Sequence, residues 1–165
     1  MKKVGIGVIG LGGMGQAYIN KIKEIPEAEL TAVSDVDSEI TKKISQEQKV
    51  PGFTNYEELL ESDLIDAVLI ATPHYFHPEI GIKAMKKEIH SLSEKPIAVS
   101  VAAADKFLQA AKRSGVVFAV MHQQRTLPEM RLARKIIESR RGVRASPMRE
   151  RTQGGYPKLL SLYSL

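Results

Sequence analysis

Three glycines near the start of the chain have the spacing of a loop that binds a pyrophosphate. Gly10, Gly12 and Gly15 form the motif G-x-G-x-x-G directly after an apolar, β-branched segment at 4–9. In such a motif the first glycine allows a tight turn, the second lets phosphates approach the backbone, and the third lets the next helix pack on the sheet. The start of that helix directs N–H groups and a positive dipole toward the anion. The motif predicts a dinucleotide site; the alternative interpretation is an ordinary glycine-rich β-turn-α connection.

An aspartate follows the second predicted strand, where it would reach the ribose of a dinucleotide. Asp35 comes directly after the apolar segment 29–34 and lies twenty residues after Gly15. A carboxylate at this position accepts hydrogen bonds from ribose hydroxyls and repels the 2′-phosphate of NADP. Residues 36–38 contain no cation that would receive a phosphate, so the sequence favours NAD over NADP. Asp37 is interpreted as a helix N-cap.

Three more groups of polar residues come directly after predicted strands. They lie at 71–78, 93–96 and 121–125, and loops of this kind meet at the carboxyl edge of a parallel sheet. Lys95 is suited to acid–base chemistry there, because a partly desolvated lysine can exchange a proton with a hydroxyl. Glu94 is expected to orient Lys95 through an ion pair. The alternative interpretation is that Lys95 is a solvated loop lysine.

Short apolar runs alternate with longer amphipathic stretches between residues 1 and 139. The pattern predicts strands at 3–9, 29–34, 65–71, 89–92 and 116–121. It predicts helices at 13–25, 37–47, 56–61, 76–87, 100–114 and 127–139. Residues 51–54 are expected to form a connector or a weak edge strand. The alternation predicts an α/β fold, a doubly wound parallel sheet of the Rossmann type with helices on both faces.

Four elements of the sequence occur in a characteristic order and spacing: G-L-G-G-M-G at 10–15, Asp35, A-T-P-x-x-x-H at 71–77 and E-K-P at 94–96. Together they resemble the Gfo/Idh/MocA family of NAD(P)-dependent oxidoreductases, which act on sugars, inositols and related polyols. The resemblance covers about residues 3–139. It implies that Lys95 is the catalytic residue, lying at the nicotinamide and binding or polarising the reacting hydroxyl or carbonyl. It also implies that Pro96, often through a cis bond, shapes this loop and that the Thr-Pro and His loop lies along the cofactor.

The motifs and the resemblance together define the candidate residues of the site. The predicted cofactor-binding residues are Gly10, Gly12, Gly13, Met14, Gly15, Asp35, Thr72, Pro73, His77, Glu94, Lys95, Pro96 and Arg125. His77 is interpreted either as a cofactor-loop residue or as a histidine at a helix start. Arg125 is interpreted either as a contact to substrate or a partner domain, or as a surface arginine. His74 is expected at the surface, His90 is expected to be structural, and no residues have the spacing of metal ligands.

The composition limits the classes of protein that the chain can represent. Its 165 residues suit one domain, and a hydrophobic content of 43% is sufficient for a core. No run of about 18 apolar residues is present, so no membrane span is expected. The absence of cysteine excludes disulfides and thiolate chemistry and fits a cytoplasmic protein.

The last 26 residues differ in character from the rest of the chain. Residues 140–165 contain six basic residues and one acidic residue and account for the whole net charge of +5. Because charges balance in residues 1–139, a nucleic-acid partner is not expected for the globular part. We expect a Rossmann domain at 1–139 and a basic tail at 140–165 that is poorly ordered or docked on a partner chain.

The resemblance ends near Arg140, where a second α/β domain begins in the family. That domain binds the substrate and often forms the oligomer interface, so its absence is interpreted as a truncation, with a frameshift as one explanation. The chain is then expected to bind a dinucleotide with weak or absent turnover. It is also expected to form a homo-oligomer through the surface that the missing domain would cover.

Several functions agree with these observations. The leading hypothesis is an NAD(P)-dependent oxidoreductase of sugar, inositol or polyol-type substrates, present as its nucleotide-binding domain. The alternative is a non-catalytic NAD-binding or redox-sensing module, which turnover of sugars and polyols would distinguish from the first. Two further hypotheses are glycosidic bond cleavage by transient oxidation, as in some relatives, and nucleic-acid binding through the tail. Salt-dependent DNA binding that is lost on deletion of 140–165 would support the last of these.

Overall fold

Six strands and six α-helices alternate along residues 3–139, the part of the chain that the computed structural model describes. The strands are β1 (Val4–Ile9), β2 (Ala28–Ser34), β3 (Gly52–Phe53), β4 (Ala67–Ile70), β5 (His90–Ser93) and β6 (Phe118–Val120). The helices are α1 (Gly13–Ile22), α2 (Ser38–Gln48), α3 (Tyr56–Leu60), α4 (His77–Lys86), α5 (Val101–Ser114) and α6 (Pro128–Glu138). Every strand and helix predicted from the sequence is present, and residues 51–54 contain the short edge strand β3.

The strands form one parallel sheet in the order β3-β2-β1-β4-β5-β6. The chain proceeds outward from β1 through β2 to β3, then returns to the other side of β1 and continues from β4 to β6. The predicted doubly wound sheet of the Rossmann type is therefore confirmed. The reversal between β1 and β4 opens a crevice at their carboxyl ends, where ligands bind in such folds.

The carboxyl ends of the central strands lie level with one another. Ile9 pairs with Ser34 on one side and with Ile70 on the other, and Ile70 pairs with Ser93. The ladder continues one residue further, since the Gly10 N–H donates to the Ser34 carbonyl at 2.8 Å. The loops that follow β1, β2, β4 and β5 therefore begin from a single row of residues.

Each face of the sheet buries its own hydrophobic cluster, because successive strand residues point to opposite faces. One cluster joins the sheet to α1 and α2 and contains Val8, Leu11, Tyr18, Ile19, Ile22, Ala28, Val33, Ile44 and Leu69. The other joins the sheet to α3 and α4 and contains Ile9, Ala32, Leu59, Leu60, Val68, Ile70, Ile80, Ala84 and Ile89. Burial on both faces explains the nearly continuous apolar runs of the central strands.

The buried ring of Phe107 packs α5 against β6 and α4. Phe107 is fully buried, and its ring centroid lies 4.5 Å from that of Phe118. Gly81 on α4 leaves room for this ring, since a Cβ at that position would lie 2.2 Å from Cζ of Phe107. The packing of α4 on α5 therefore depends on a residue without a side chain.

Helix α1 ends earlier than the apolar periodicity predicts. The prediction extends to residue 25, but the helix ends at Ile22 with Lys23 as its C-cap. Pro26 explains the difference, because it has no N–H to donate to the carbonyl of Ile22 and its ring would clash with that carbonyl. The Ile22 carbonyl instead accepts the N–H of Ile25 at 3.1 Å.

The described chain divides into two compact units, of which one ends at Gln123 and the other begins at Gln124. In the second unit, α6 is amphipathic and its apolar side chains are exposed, including Met130, Leu132, Ile136 and Ile137. The predicted basic tail at 140–165 lies outside the described residues. Within residues 3–139, no helix is long and apolar enough to cross a membrane.

Candidate functional site

Four loops meet at the carboxyl edge of the sheet because the ends of β1, β2, β4 and β5 lie level. Asp35 follows β2, the glycine loop 10–15 follows β1, Thr72 lies two residues beyond the end of β4, and residues 94–96 follow β5. The strand order places the loops side by side in that same sequence. They form one continuous surface rather than four separate sites.

The three glycines of the motif differ in whether the fold requires them. Gly10 has a φ of +93°, and a Cβ there would lie 2.6 Å from the Ala71 backbone. A Cβ on Gly15 would lie 1.8 Å from the Gly10 carbonyl oxygen, so only glycine lets α1 approach the strand end. A Cβ on Gly12 would meet no atom within 4 Å. The first and third glycines are thus required by the fold, whereas the second leaves open space beside the loop.

Helix α1 opens directly onto this space. Its N-cap, Gly12, has no side chain to bind the first N–H groups, and the first turn contains no acidic residue. The first intrahelical hydrogen bond joins the Gln16 N–H to the Gly12 carbonyl at 3.0 Å. The N–H groups of Gly13, Met14 and Gly15 precede it and have no intrahelical acceptor. These donors, the helix dipole and the open space beside Gly12 fit a pyrophosphate group.

Asp35 is tied to the glycine loop through its carboxylate. Oδ2 accepts the N–H of Leu11 at 2.6 Å, and Oδ1 accepts the N–H of Asp37 at 3.0 Å. The residue is half-buried, and the remaining lone pairs of its carboxylate stay available to a hydroxyl. Asp37 accepts the N–H groups of Glu39 and Ile40, so its interpretation as the N-cap of α2 is confirmed.

Thr72 carries a buried hydroxyl with no partner. Its Oγ1 is shielded from solvent and forms no hydrogen bond with the described residues, although buried hydroxyls are normally paired. The neighbouring Pro73 is exposed. An unpaired hydroxyl in a loop at the strand edge fits a site that is completed by a ligand.

His77 is the first residue of α4 and is buried, with 1% of its surface exposed. Its Nδ1 lies 2.9 Å from the Pro96 carbonyl oxygen, and its Nε2 lies 2.8 Å from the Thr72 carbonyl oxygen. Of the two interpretations from sequence, the structure shows the helix-start histidine. Each ring nitrogen lies beside a carbonyl oxygen of the protein, so the ring stands between the two loops, and its role toward a cofactor stays a prediction.

Glu94 lies beneath the loop and faces inward. Its carboxylate accepts hydrogen bonds from the Tyr18 hydroxyl, from Gln123 Nε2 at 3.1 Å and from the Lys95 N–H at 2.9 Å. Burial, and then the hydrogen bond to Glu94, raise the pKa of the Tyr18 hydroxyl well above its usual range. The predicted ion pair of Glu94 with the Lys95 ammonium is wrong, because these successive residues direct their side chains to the interior and to the surface respectively.

Lys95 extends from the loop into solvent. Its side chain is exposed, and the ammonium has no hydrogen bond or ion pair with any of residues 3–139. The peptide bond between Lys95 and Pro96 is cis, as the family resemblance implied. The ammonium is therefore an exposed positive charge at this edge of the sheet.

Three further residues had expected roles: Arg125, His74 and His90. Arg125 is exposed in the second unit, and its role in the site stays a prediction. His74 is exposed, with its ring stacked on that of Tyr75 at 4.8 Å, as expected for a surface residue. His90 accepts the Val117 N–H at 3.1 Å, which confirms its structural role.

Three residues of the site were missed by the sequence analysis. Gln16 braces the glycine loop, since its Nε2 donates to the Leu11 carbonyl at 2.9 Å. Tyr18 and Gln123 hold the Glu94 carboxylate. Two signals were available: Gln123 lies in the polar group 121–125, and the hydroxyl of Tyr18 lies on the apolar face of α1, where a buried hydroxyl requires a partner.

The model of a family described as "Oxidoreductase family, NAD-binding Rossmann fold", GFO_IDH_MocA, matches residues 4–122. The chain belongs to this family. The match includes all four loops at the strand edge and confirms the resemblance inferred from the motifs. The matched part of the chain is accordingly an NAD-binding Rossmann domain.

Individual relatives match over the same region. The 2,7-anhydro-N-acetylneuraminate hydratase of Escherichia coli K12 is 33% identical over 135 residues, which cover 82% of this chain and 36% of that protein. The inositol 2-dehydrogenase of Rubrobacter xylanophilus is 33% identical over 110 residues, which cover 66% of this chain and 32% of that protein. The chain thus spans about a third of the length of these relatives.

Solved structures show the same relation. Scyllo-inositol dehydrogenase from Lactobacillus casei, with bound NAD(H) and scyllo-inositol, superposes with a TM-score of 0.79 at 27% identity. The WlbA dehydrogenase from Bordetella pertussis, in complex with NADH and UDP-GlcNAcA, has a TM-score of 0.80 at 27% identity. Both comparisons cover 84% of this chain and 42% of the other.

Proposed function

We propose that this chain is the NAD-binding domain of a dehydrogenase that oxidises an alcohol of a sugar, an inositol or a related polyol. The observation that carries the proposal is the single row of loops in which the glycine motif, Asp35, Thr72 and Lys95 share one edge of the sheet. The inositol dehydrogenases among the relatives support the substrate class.

In this proposal the dinucleotide extends along the edge from β2 toward β5. Asp35 accepts hydrogen bonds from the adenosine ribose, and the first turn of α1 holds the pyrophosphate. The buried hydroxyl of Thr72 gains a partner from the nicotinamide half, beside Pro73. Arg125 is a further candidate contact to cofactor or substrate.

Lys95 is the residue that we assign to the reacting hydroxyl. When bound, NAD accepts a hydride from the carbon that carries the hydroxyl. The hydroxyl proton must leave in the same oxidation. The Lys95 side chain has no competing partner among residues 3–139, so it can bind the oxygen as the ammonium and can receive the proton only as the neutral amine. Glu94 is not suited to this role, because it is buried and accepts hydrogen bonds from Tyr18, Gln123 and the Lys95 N–H.

The preference for NAD over NADP is part of the proposal. The Asp35 carboxylate would repel a 2′-phosphate, and residues 36–38 supply no cation to neutralise it. This preference is testable without turnover.

Titration with NADH and NADPH, followed by nucleotide fluorescence, should show tighter binding of NADH to the wild type. Asp35→Asn keeps an oxygen for the Leu11 N–H but removes the charge, so it should narrow the difference between the two nucleotides; an unchanged ratio would oppose the ribose role.

Substrate binding and oligomer assembly are proposed to depend on more of the protein than this domain. Since the chain spans 36–42% of several relatives, most substrate contacts are proposed to come from residues outside this domain. A homo-oligomer formed through the surface that such a domain would cover is likewise proposed.

Turnover distinguishes the dehydrogenase from the alternative of a non-catalytic NAD-binding or redox-sensing module. Reduction of NAD would be followed by absorbance across a panel of inositols, sugars and sugar acids. Activity that is lost in Lys95→Ala, with NADH affinity retained, supports the dehydrogenase. NADH binding without turnover of any member of the panel supports the binding module for this chain.

A further inference from the structure

Two backbone groups of the Lys95 loop contact buried side chains: the N–H of Lys95 itself and the carbonyl of the next residue, Pro96. The Lys95 N–H donates to Oε2 of Glu94 at 2.9 Å. The carbonyl of the following residue, Pro96, lies 2.9 Å from Nδ1 of His77. The exposed ammonium has no partner among the described residues, so these two backbone contacts set where the side chain begins.

The contact at the Pro96 carbonyl also joins the Lys95 loop to the loop after β4. The second nitrogen of the same ring, Nε2 of His77, lies 2.8 Å from the Thr72 carbonyl oxygen. Carbonyl oxygens only accept hydrogen bonds, so the ring nitrogen that carries the N–H donates to the carbonyl it faces. One buried ring thus links the loop that carries the unpaired Thr72 hydroxyl to the loop that carries Lys95.

The contact at the Lys95 N–H is fixed from the opposite side. Glu94 is 6% exposed, and its Oε1 accepts the Tyr18 hydroxyl and Gln123 Nε2. Tyr18 belongs to α1, the helix that begins at the glycine motif. The carboxylate that receives the Lys95 N–H is therefore connected to the helix that follows the glycine motif.

We propose that His77 and Tyr18 are positioning residues for Lys95, His77 through the Pro96 carbonyl and Tyr18 through the Glu94 carboxylate. This inference rests on the proposed function, which assigns Lys95 to the reacting hydroxyl. Neither residue touches a ligand, because the ring nitrogens of His77 and the hydroxyl of Tyr18 bind groups of the protein itself. Displacement of a reacting group by about 1 Å costs on the order of 100-fold in rate. These contacts therefore matter by fixing the position of the Lys95 side chain.

The test follows the Lys95 side chain directly in the full chain. Reductive methylation with 13C-formaldehyde gives each lysine an NMR signal and preserves its charge, and Lys95→Arg identifies the signal of Lys95. The nicotinamide ring is cationic in NAD+ and neutral in NADH, so a lysine beside it gives different signals in the two forms. In His77→Leu and in Tyr18→Phe this difference should fall by about half or more, while the Kd for NADH changes by less than about threefold. His77→Gln, whose amide supplies two N–H donors, should restore much of the difference.

Matched controls are available in the same chain. Tyr56→Phe removes a tyrosine–carboxylate hydrogen bond, to Oε1 of Glu79 at 2.8 Å, away from the strand edge. His90→Gln changes a structural histidine on β5. Both controls should retain the wild-type signals of Lys95, whereas Tyr56→Phe is expected to change the signal of Lys83, which donates to the Tyr56 hydroxyl at 2.8 Å.

Each result that differs from these expectations contradicts the proposed function, the positioning role or both. If the wild type binds neither nucleotide, or its Lys95 signal is the same with NAD+ and NADH, the proposed function and the positioning role both fail. If the wild-type signals differ and the His77 and Tyr18 variants behave like it, only the positioning role fails. If both His77→Leu and His77→Gln lose NADH binding, His77 maintains the cofactor site as a whole, and its assignment to Lys95 is overturned.

Discussion

Gly12→Ala should separate the folding role of the glycine motif from its binding role. A Cβ on Gly12 meets no atom within 4 Å, whereas a Cβ on Gly15 lies 1.8 Å from the Gly10 carbonyl oxygen. The two substitutions add the same methyl group three residues apart. They are therefore expected to have opposite consequences, and each serves as the control for the other.

The magnitudes follow from the local geometry. Gly12 has φ −65° and ψ −169°, which alanine adopts without strain. Alanine is a poorer N-cap by about 0.5–1 kcal/mol, and the stiffer unfolded chain offsets about 0.4–1 kcal/mol, so the free energy of unfolding should change by about 0.5 kcal/mol or less. The methyl group stands where a phosphate would approach, and loss of one charged hydrogen bond costs about 1.5–3 kcal/mol, or about 10- to 150-fold in Kd. Gly15→Ala overlaps a backbone oxygen and should lower the free energy of unfolding by about 3 kcal/mol or more.

Urea denaturation followed by circular dichroism measures the stability of each variant, and NADH fluorescence measures its affinity. Gly12→Ala should unfold at the wild-type midpoint and bind NADH more weakly. If it binds NADH within about twofold of the wild type, the open space beside Gly12 does not receive the pyrophosphate, and the reasoning is refuted. A loss of stability as large as that of Gly15→Ala would instead show that Gly12 is required by the fold.

Three further predictions concern packing, capping and pH. Gly81→Ala should lower the free energy of unfolding by about 2 kcal/mol, because its Cβ would overlap the buried ring of Phe107; a urea midpoint equal to that of the wild type would contradict this close packing. Asp37→Ala should cost about 1 kcal/mol of stability by removing the N-cap of α2, and an accompanying loss of NADH affinity would assign Asp37 to the cofactor instead. The pKa of Tyr18 is raised from its ordinary value of 10.0 by burial and by Glu94, so its protonated form stabilises the fold below that pH, and this contribution is lost as the pH rises further. Tyr18→Phe should therefore flatten the fall of the urea midpoint above pH 10.0, and an unchanged slope would show that another group causes it.

The sequence predicted the alternating elements and the loop at the first strand because both depend on neighbouring residues. The glycine spacing specifies a turn, and apolar periodicity specifies which segments are buried. The N-cap role of Asp37 was predictable for the same reason, since its partners lie two and three residues away. The predicted end of α1 was wrong because the apolar periodicity continues to Ile25. Pro26 has no N–H to donate to the Ile22 carbonyl, so the helix ends at Ile22.

The contacts within the site could not be predicted from neighbouring residues in the sequence. The Asp35 carboxylate reaches the Leu11 N–H, and sequence spacing indicates only that Asp35 follows a strand. The expected Glu94–Lys95 ion pair followed from adjacency in sequence, but adjacent residues at a strand end face opposite sides. His77 had two reasonable interpretations, and only the positions of the Thr72 and Pro96 carbonyls distinguished them.

The amino-acid sequence by itself determined the Rossmann fold, the family and the residues that gather at the strand ends, because turn chemistry, hydrophobic periodicity and parallel strand order are properties of short segments. Tertiary structure decided how those residues are held. Tyr18 and Glu94 are 76 positions apart, and His77 lies 19 positions from Pro96. No local pattern specifies such pairs. They arise because the level ends of neighbouring strands bring distant loops within hydrogen-bond distance and bury their polar atoms, which must then find partners in one another.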